Sequence, residues 1–461
     1  MPQDLRTFLA RVREQSPESV VEVRRKVSPD RELSAVVKLL ERRGNPVVLF
    51  HNVEGSDLPV VCGVHSTRER IALALNSTAE TVIEDFLRLD PAAIATETVA
   101  GGPVKDVVNI GDDADLGELP IMTHASKDAG PYIGIGVGLA RDPDSGAVNA
   151  GIYRLMVTGP RTLTCHVNRF HHLAEIIRRA EERHETVPLA VVIGHHPALQ
   201  LGSQMKNALS TDTLALVGGL LGEPLAVTHA ETIDLNVPAY AEIVLECEIR
   251  PGEFAPDGPY GEFTYYYGTD NAANVVRVKA ITRRRDAILM DIHNVHSEHR
   301  TLWICPMREA NLLAKVREIL PRTRAVHIPD SGAGLHAYVS IEKLREGDAK
   351  NALIAALNAD HILKHVIVVD ADVDPFDEAE VLWALATRFQ GDRDLFLLPG
   401  SQATALDPSS YGLVDRHVST GMTTKMGFDA TMPVEVPFAE RADTISEEFQ
   451  HLDLSEYVDP R

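Results

Sequence analysis

The 461-residue chain carries 45 Lys and Arg against 67 Asp and Glu, a formal charge of −22, so its long-range field repels polyanions and excludes nucleic acid as an expected partner. Apolar residues make up 44% and charged residues 24%, the balance of a globular protein rather than a disordered or fibrous one, and the length implies two or three domains. A small anionic ligand would have to be held by a local basic group inside a cleft, for which a buried Arg is the obvious device.

Leu5, Phe8, Leu9 and Val12 recur at helical spacing and predict a helix over 4–14, and Leu33, Val36, Val37 and Leu40 predict a second over 33–43 that stops at Gly44. VVLFHNV then reads as a strand, and Ser66 is expected to cap the helix STRERIALAL. Residues 1–102 are thus read as a small α/β domain. From 103 to 306 short apolar runs divided by Gly and Pro, among them VVNIG, GPYIGIGVGLARD, NAGIYRLMVTG, AVVIGHH, AEIVLECEIRPGE and VRVKAITRRRDAILMDI, predict a sheet-rich middle domain. One helix, HLAEIIRRAEERHE, interrupts it, with Leu173, Ile176 and Ile177 toward the core. Helices and strands alternate again over 307–461, so the chain as a whole is of the α/β (α+β) class. Its acidic end, SEEFQHLDLSEYVD, either packs on a partner subunit or is a solvated tail, the second being preferred. Cys62, Cys165, Cys247 and Cys305 form no CxxC pair, and no run approaches the roughly 18 apolar residues of a membrane span. With no signal-peptide pattern at the start, the expected setting is a reducing cytoplasm without membrane attachment.

Several local patterns invite a function. Gly134, Gly136 and Gly138 recur with period two and no helix follows, so a dinucleotide fingerprint is rejected in favour of a strand with one bare face that a flat ligand or another backbone can approach. Asp370, Asp372 and Asp374 open like a calcium loop, but Pro375 and Val381 stand where Gly and Glu are needed, and the acids are expected to cap the helix near Glu378. His293, His296 and His299 in HNVHSEHR could hold zinc for a hydrolase, or simply line a pocket rim at the end of a strand. His171 and His172 stand at a helix entrance, where an anion is favoured, or are surface residues. Asn149 and Arg154 lie on opposite faces if NAGIYR is a strand. In PDGPYGEFTYYYG two carboxylates, Asp257 and Glu262, bracket a turn. Two acids near one Arg can be held in different protonation states, the apparatus of proton transfer; the bland alternative is a polar hairpin.

Taken in order, NAGIYR, GEPLAV, the GPYGE loop, HVIVVDADVD and KMGFDAT resemble the UbiD family of prenylated-flavin decarboxylases over nearly the whole chain. The resemblance implies an N-terminal α/β domain, a central split β-barrel that binds prenylated FMN, and a C-terminal α/β domain that makes a homodimer or a hexamer built from dimers. It implies that Arg154 grips the substrate carboxylate, Asp257 orients that Arg, and Glu262 protonates the product carbon. Asn149 and His172 match ligands of a divalent ion, usually Mn2+, that reaches the flavin phosphate. Ile152 and His171 match flavin-contacting positions, Ser203 and Met205 match carbonyl donors to K+, and Lys425 matches a Lys for the phosphate. One position departs: Thr213, preceded by Asp212, stands where the family has a metal-binding Glu, and a neutral ligand leaves the ion with less negative charge. HNVHSEHRTLWICPMREA resembles members acting on heteroaromatic acids, which makes His299, Arg300 and Arg308 candidate substrate contacts.

The implied chemistry is coherent. Loss of carbon dioxide from an sp² carbon leaves an electron pair that no side chain can accept, so a cofactor must. The expected partners are a small unsaturated or aromatic carboxylic acid and a flavin prenyltransferase that supplies the cofactor. The alternatives are a non-catalytic subunit of a larger carboxylase, suggested by Thr213, and a metal-dependent hydrolase built on the three histidines.

Overall fold

A computed structural model describes residues 2–89, 93–268, 271–404, 406–410, 421–442 and 457. The first helix, Leu5–Gln15, buries the predicted Leu5, Phe8 and Val12, and Asp4 caps it by accepting from the Thr7 backbone N–H. The second spans Glu32–Glu41 with Leu33 and Val37 inward. Between and after them Val20–Val23, Val47–Phe50 and Val60–Cys62 form a small sheet, which Leu289–Met290 joins from far along the chain. The next helix, Arg68–Ala74, is capped by Thr67 and not by Ser66: the Thr67 side chain accepts from the Arg70 N–H, while Ser66 is buried.

The middle of the chain closes on itself. Strands Ile243–Asp257, Val187–Ile193, Tyr132–Arg141, Val148–Gly159, Thr162–Cys165 and Asn271–Arg283 lie side by side in that order, all antiparallel, and the last pairs back onto the first. This six-stranded barrel has no free edge, and Val107–Ile110 adds outside on Asn271–Arg283. The bare face of Tyr132–Arg141 is filled by protein. A β-carbon on Gly134 would run into the Ile292 carbonyl oxygen, one on Gly136 would meet the Val191 side chain at 2.7 Å, and one on Gly138 the Tyr153 ring at 2.9 Å. Of the two expected visitors, it is backbone and side chains that approach.

The helix His172–Arg183 buries Leu173, Ile176, Ile177 and Ala180 as its spacing requires. Two further helices, Ala198–Ser203 and Thr213–Leu221, were hidden in the sequence because they are apolar nearly all round and so show no amphipathic period. HNVHSEHR does not finish a long strand. After the two-residue strand Leu289–Met290 the chain turns, and His296 caps a helix, Ser297–Ile304.

The C-terminal domain holds a five-stranded sheet in the order Thr323–His327, His336–Ile341, His365–Asp370, Met422–Ala430, Leu395–Gln402, parallel in the middle and antiparallel at both ends. Helices Met307–Ile319, Asp348–Ala359 and Glu378–Arg388 accompany it. The cap of Glu378–Arg388 is Asp377, whereas Asp370 and Asp372 hold Arg388 at 2.8 and 2.7 Å and Asp374 closes its own turn on the Phe376 N–H. The acidic tail, Tyr457 apart, lies outside the described residues. Among those residues no helix is long and apolar enough to cross a membrane, and all four cysteines are free and buried.

Candidate active site

Arg154 sits within the strand Val148–Gly159, Asp257 ends the strand Ile243–Asp257, and Glu262 follows five residues later in the connecting loop. Barrel closure brings them together. Arg154 Nη2 donates to Asp257 Oδ2 at 2.9 Å, Nη1 donates to Glu262 Oε1, and Thr164 Oγ1 donates to the other Asp257 oxygen at 3.1 Å. Asp257 is fully buried and Glu262 is 8% exposed. The guanidinium also lies 5.0 Å from the centre of the Tyr260 ring, itself packed on Tyr132. Burial pushes the Glu262 carboxyl above the ordinary range, overcoming the pull of Arg154, with Asp257 and Asp128 adding to the rise. For Arg154, burial works against the charge, but Glu262 and Asp257 outweigh it and the guanidinium stays protonated. A guanidinium, the acid side chain that bonds it from the strand end and a second acid whose carboxyl is raised are thus assembled in one place. Arg154 Nε, the Tyr260 hydroxyl and the Thr264 hydroxyl are buried without a partner, which leaves polar groups unspent for a ligand.

The other face of the same strand carries a second group of residues. His172 opens its helix and its Nδ1 lies 3.0 Å from Asn149 Oδ1, while His171 meets the Tyr153 ring edge-on at 5.9 Å. Alternation along the strand puts Asn149 and Tyr153 on one side and Ile152 and Arg154 on the other, as the spacing predicts. Thr213 is buried at the start of Thr213–Leu221, but Asp212 does not stand in as a ligand. Its Oδ1 accepts from the Leu214 and Ala215 N–H groups at 2.9 and 3.1 Å, as the helix cap. Of the residues expected to hold a divalent ion, the amide of Asn149 and the imidazole of His172 are brought together, and neither Thr213 nor the cap Asp212 adds a carboxylate to them. Ser203 ends the helix Ala198–Ser203 and Met205 follows it. Within that helix Gln200 is fully buried with neither amide atom bonded to the protein.

Family models match this chain in order: the 3-octaprenyl-4-hydroxybenzoate carboxy-lyase N-terminal domain over residues 13–90, the Rift-related domain over 97–296 and the C-terminal domain over 301–430. The chain belongs to the UbiD family. Anhydromevalonate phosphate decarboxylase of Methanothermobacter thermautotrophicus is 34% identical over 453 residues, 98% of this chain and 100% of that one. The UbiD-class enzyme HmfF of Pelotomaculum thermopropionicum, solved with FMN, superposes with a TM-score of 0.92 at 37% identity, covering 99% of this chain and 100% of its own. An evolved dimeric form of it in complex with prFMN gives 0.87 at 36%, with the same coverage. Klebsiella pneumoniae 3,4-dihydroxybenzoic acid decarboxylase gives 0.89 at 27%, covering 99% of both chains. This UbiD-family protein is accordingly a carboxy-lyase.

The remaining residues expected in the UbiD-type site divide. His299 stacks on Phe263 with ring centres 5.9 Å apart, Phe263 meets Trp303 at 4.9 Å, and the Arg308 guanidinium lies 4.1 Å from the Trp303 ring centre. Arg308 Nε donates to Asp360 at 2.6 Å and its Nη1 is buried without a partner. Lys425 is buried and donates to the carbonyls of Leu357 and Asp360 at 3.1 and 3.3 Å. Arg300 is different: it is fully buried and each guanidinium nitrogen already donates to protein, four of its five N–H groups being used and one on Nη1 remaining. The three histidines form no metal site. His293 stacks on His124, His296 caps its helix and His299 lies on Phe263, and among the described residues no group of three or more His, Cys, Asp or Glu could hold a metal. Sequence reasoning missed Tyr260, Thr164, Phe263 and Trp303; the clustering of aromatics in GPYGEFTYYYG, in a chain with only 5% of them, was the available signal.

Proposed function

We propose that this protein is a prenylated-FMN-dependent reversible decarboxylase of an aromatic, heteroaromatic or α,β-unsaturated carboxylic acid. The observation that carries the reading is Arg154 bridging Asp257 and Glu262 beside unpaired buried polar groups. When bound, the flavin supplies the electron sink that the departing carboxyl group requires. The fit is supported by the solved relatives that hold FMN and prFMN, and by the Ile152, His171 and Asn149–His172 positions on the barrel strand and adjoining helix.

The chain's own residues supply position and protons. Arg154 grips the substrate carboxylate through Nε and a terminal nitrogen, a two-point hold that a Lys point charge does not reproduce. Asp257, locked by Thr164, keeps the guanidinium aimed. As the substrate carboxylate takes the nitrogen that Glu262 now occupies, Glu262 loses its stabilising cation and is driven further toward the neutral acid. It then gives its proton to the carbon that carbon dioxide has left, and the resulting carboxylate returns to Arg154. Lys425 is assigned to the flavin phosphate and the Ser203 and Met205 carbonyls to K+. Asn149 and His172 would hold a divalent ion such as Mn2+, and with Thr213 in place of a carboxylate they would offer it less negative charge. His299 and Arg308 are assigned to the far end of the substrate, and the exposed Leu397, Leu398 and Ile354 support assembly through the C-terminal domain. The lack of a carboxylate at 213 also favours a second reading, a metal-impaired UbiD-like subunit that turns over only within a larger carboxylase.

Co-expression with a flavin prenyltransferase, followed by a mass spectrum of the bound cofactor and turnover of a panel of unsaturated and aromatic acids, separates the two. A prenylated flavin with turnover is expected; a cofactor-free chain without turnover supports the subunit reading. Glu262→Gln should lower turnover by about 1000-fold with flavin content unchanged, and wild-type turnover in that variant removes Glu262 from the mechanism.

A further inference from the structure

The acid Glu262 does not sit on a regular element. It opens a tight turn closed by two hydrogen bonds, Tyr265 N–H to Glu262 C=O and Glu262 N–H to Tyr266 C=O, both 2.9 Å. At the turn's corner Tyr265 takes a φ of +66°, a left-handed conformation that a bulky side chain adopts only when its surroundings impose it. Those surroundings are identifiable. Arg300, on the helix Ser297–Ile304, donates to the Phe263 carbonyl at 3.3 Å and to the Tyr265 hydroxyl at 2.6 Å. Its remaining bonds run to Asp330, at the start of a short turn in the C-terminal domain, with Nη2 at 3.1 Å from Oδ2 and Nε on Oδ1. From the opposite end of the chain Lys38, on the helix Glu32–Glu41 of the N-terminal domain, sets its ammonium 5.1 Å from the centre of the Tyr265 ring. A fully buried Arg is costly to keep unless its charge is matched, and the only carboxylate bonded to this one among the described residues is Asp330, whose side chain is half exposed.

We infer that Arg300 is a positioning residue for the proton donor, a clamp through which the C-terminal domain, by way of Asp330, fixes the turn that aims Glu262 at Arg154. This rests on the reading of Glu262 as the acid. With Asp330 in place the guanidinium stays bonded to the Phe263 carbonyl and the Tyr265 hydroxyl, 4.6 Å from the centre of the Tyr265 ring, and holds the turn closed. Without it, the buried cation must find solvent, the turn loosens, and Glu262 is wetted. The charged groups facing Glu262, namely Arg154 on its strand, Asp257 at the end of its own and Asp128 in the adjoining loop, are untouched by a change at Asp330.

The test uses the full-length, flavin-loaded protein with Asp330→Asn, chosen because that side chain is half exposed and its loss leaves the core intact. The expected result is a kcat about 10–100-fold lower with little change in KM, and a basic limb of the kcat–pH profile moved about half a unit or more to lower pH as wetting returns Glu262 toward the usual carboxyl range. Asp330→Glu should recover most of both. Amide hydrogen exchange over residues 262–266 should quicken in Asp330→Asn, a readout that needs no turnover. Wild-type kcat with an unmoved limb overturns the proposal, and so does a lower kcat with an unmoved limb and unchanged exchange, the mark of general destabilisation. If the wild type turns over no acid, the assignment of Glu262 as donor fails, and the exchange measurement alone then decides whether the clamp exists.

Discussion

Arg154 combines two demands that a substitution can separate. Its charge must survive burial, which Asp257 and Glu262 secure, and in the proposed mechanism its planar fork holds a carboxylate at two points. Arg154→Lys keeps the charge and loses the fork, so kcat/KM is expected to fall about 100-fold; a fall of only a few-fold in steady-state assays would mean that charge alone suffices. That Asp257, Glu262 and Arg154 belong together was legible only through the family resemblance: the acid-bracketed turn by itself left a polar hairpin open, and nothing local tied it to an Arg one hundred residues earlier. Arg300 was legible only as a basic residue in a His-rich run. What fixes its role is a carboxylate thirty positions away and a backbone carbonyl, neither of which leaves a pattern in the chain. Thr213 taught a narrower lesson: its departure from the expected Glu was visible, but that Asp212 is committed to capping a helix was not, since the helix itself carries no amphipathic signature.

At the scale of elements, the barrel depends on how closely the strand Tyr132–Arg141 is approached. Gly138→Ala puts a methyl group against the Tyr153 ring, which can shift, and should lower stability by about 1–3 kcal/mol in urea unfolding. Gly134→Ala meets the Ile292 backbone carbonyl, which cannot rotate aside, so its loss should be the larger of the two. Equal and negligible effects would show that these glycines are not close-packing positions. The alternating glycines announced a bare face, yet whether ligand or protein fills it depends on which chain segment returns there, and that is decided by closure of the sheet. The same limit explains the small misplacements at helix starts. Ser66 and Thr67 are both competent caps, and Asp374 and Asp377 likewise; only the backbone direction chooses between them.

Across the whole molecule, the N-terminal domain is moored to the barrel over a pair of buried histidines. His196 meets Phe8 of the first helix edge-on at 5.4 Å, beside the Asp4–Arg284 pair at 2.7 Å and the Arg6–Glu242 pair at 2.9 Å. Burial lowers His195 to about 4 and His196 to about 3, each well below its ordinary value. A base depressed in the folded state is more easily protonated when the chain unfolds, so the stability it contributes is complete above the unfolded pKa, near 6.5. It is lost as pH falls toward the folded value, at up to about 1.4 kcal/mol per pH unit for each histidine. Stability measured by urea should therefore decline steeply between pH 6.5 and 4. His195 offers a clean check, because neither ring nitrogen has a partner to lose. His195→Leu should match or exceed the wild type at pH 7.5 and show a visibly shallower acid slope; an unchanged slope would mean that carboxylates, and not this buried imidazole, govern the acid limit of the fold.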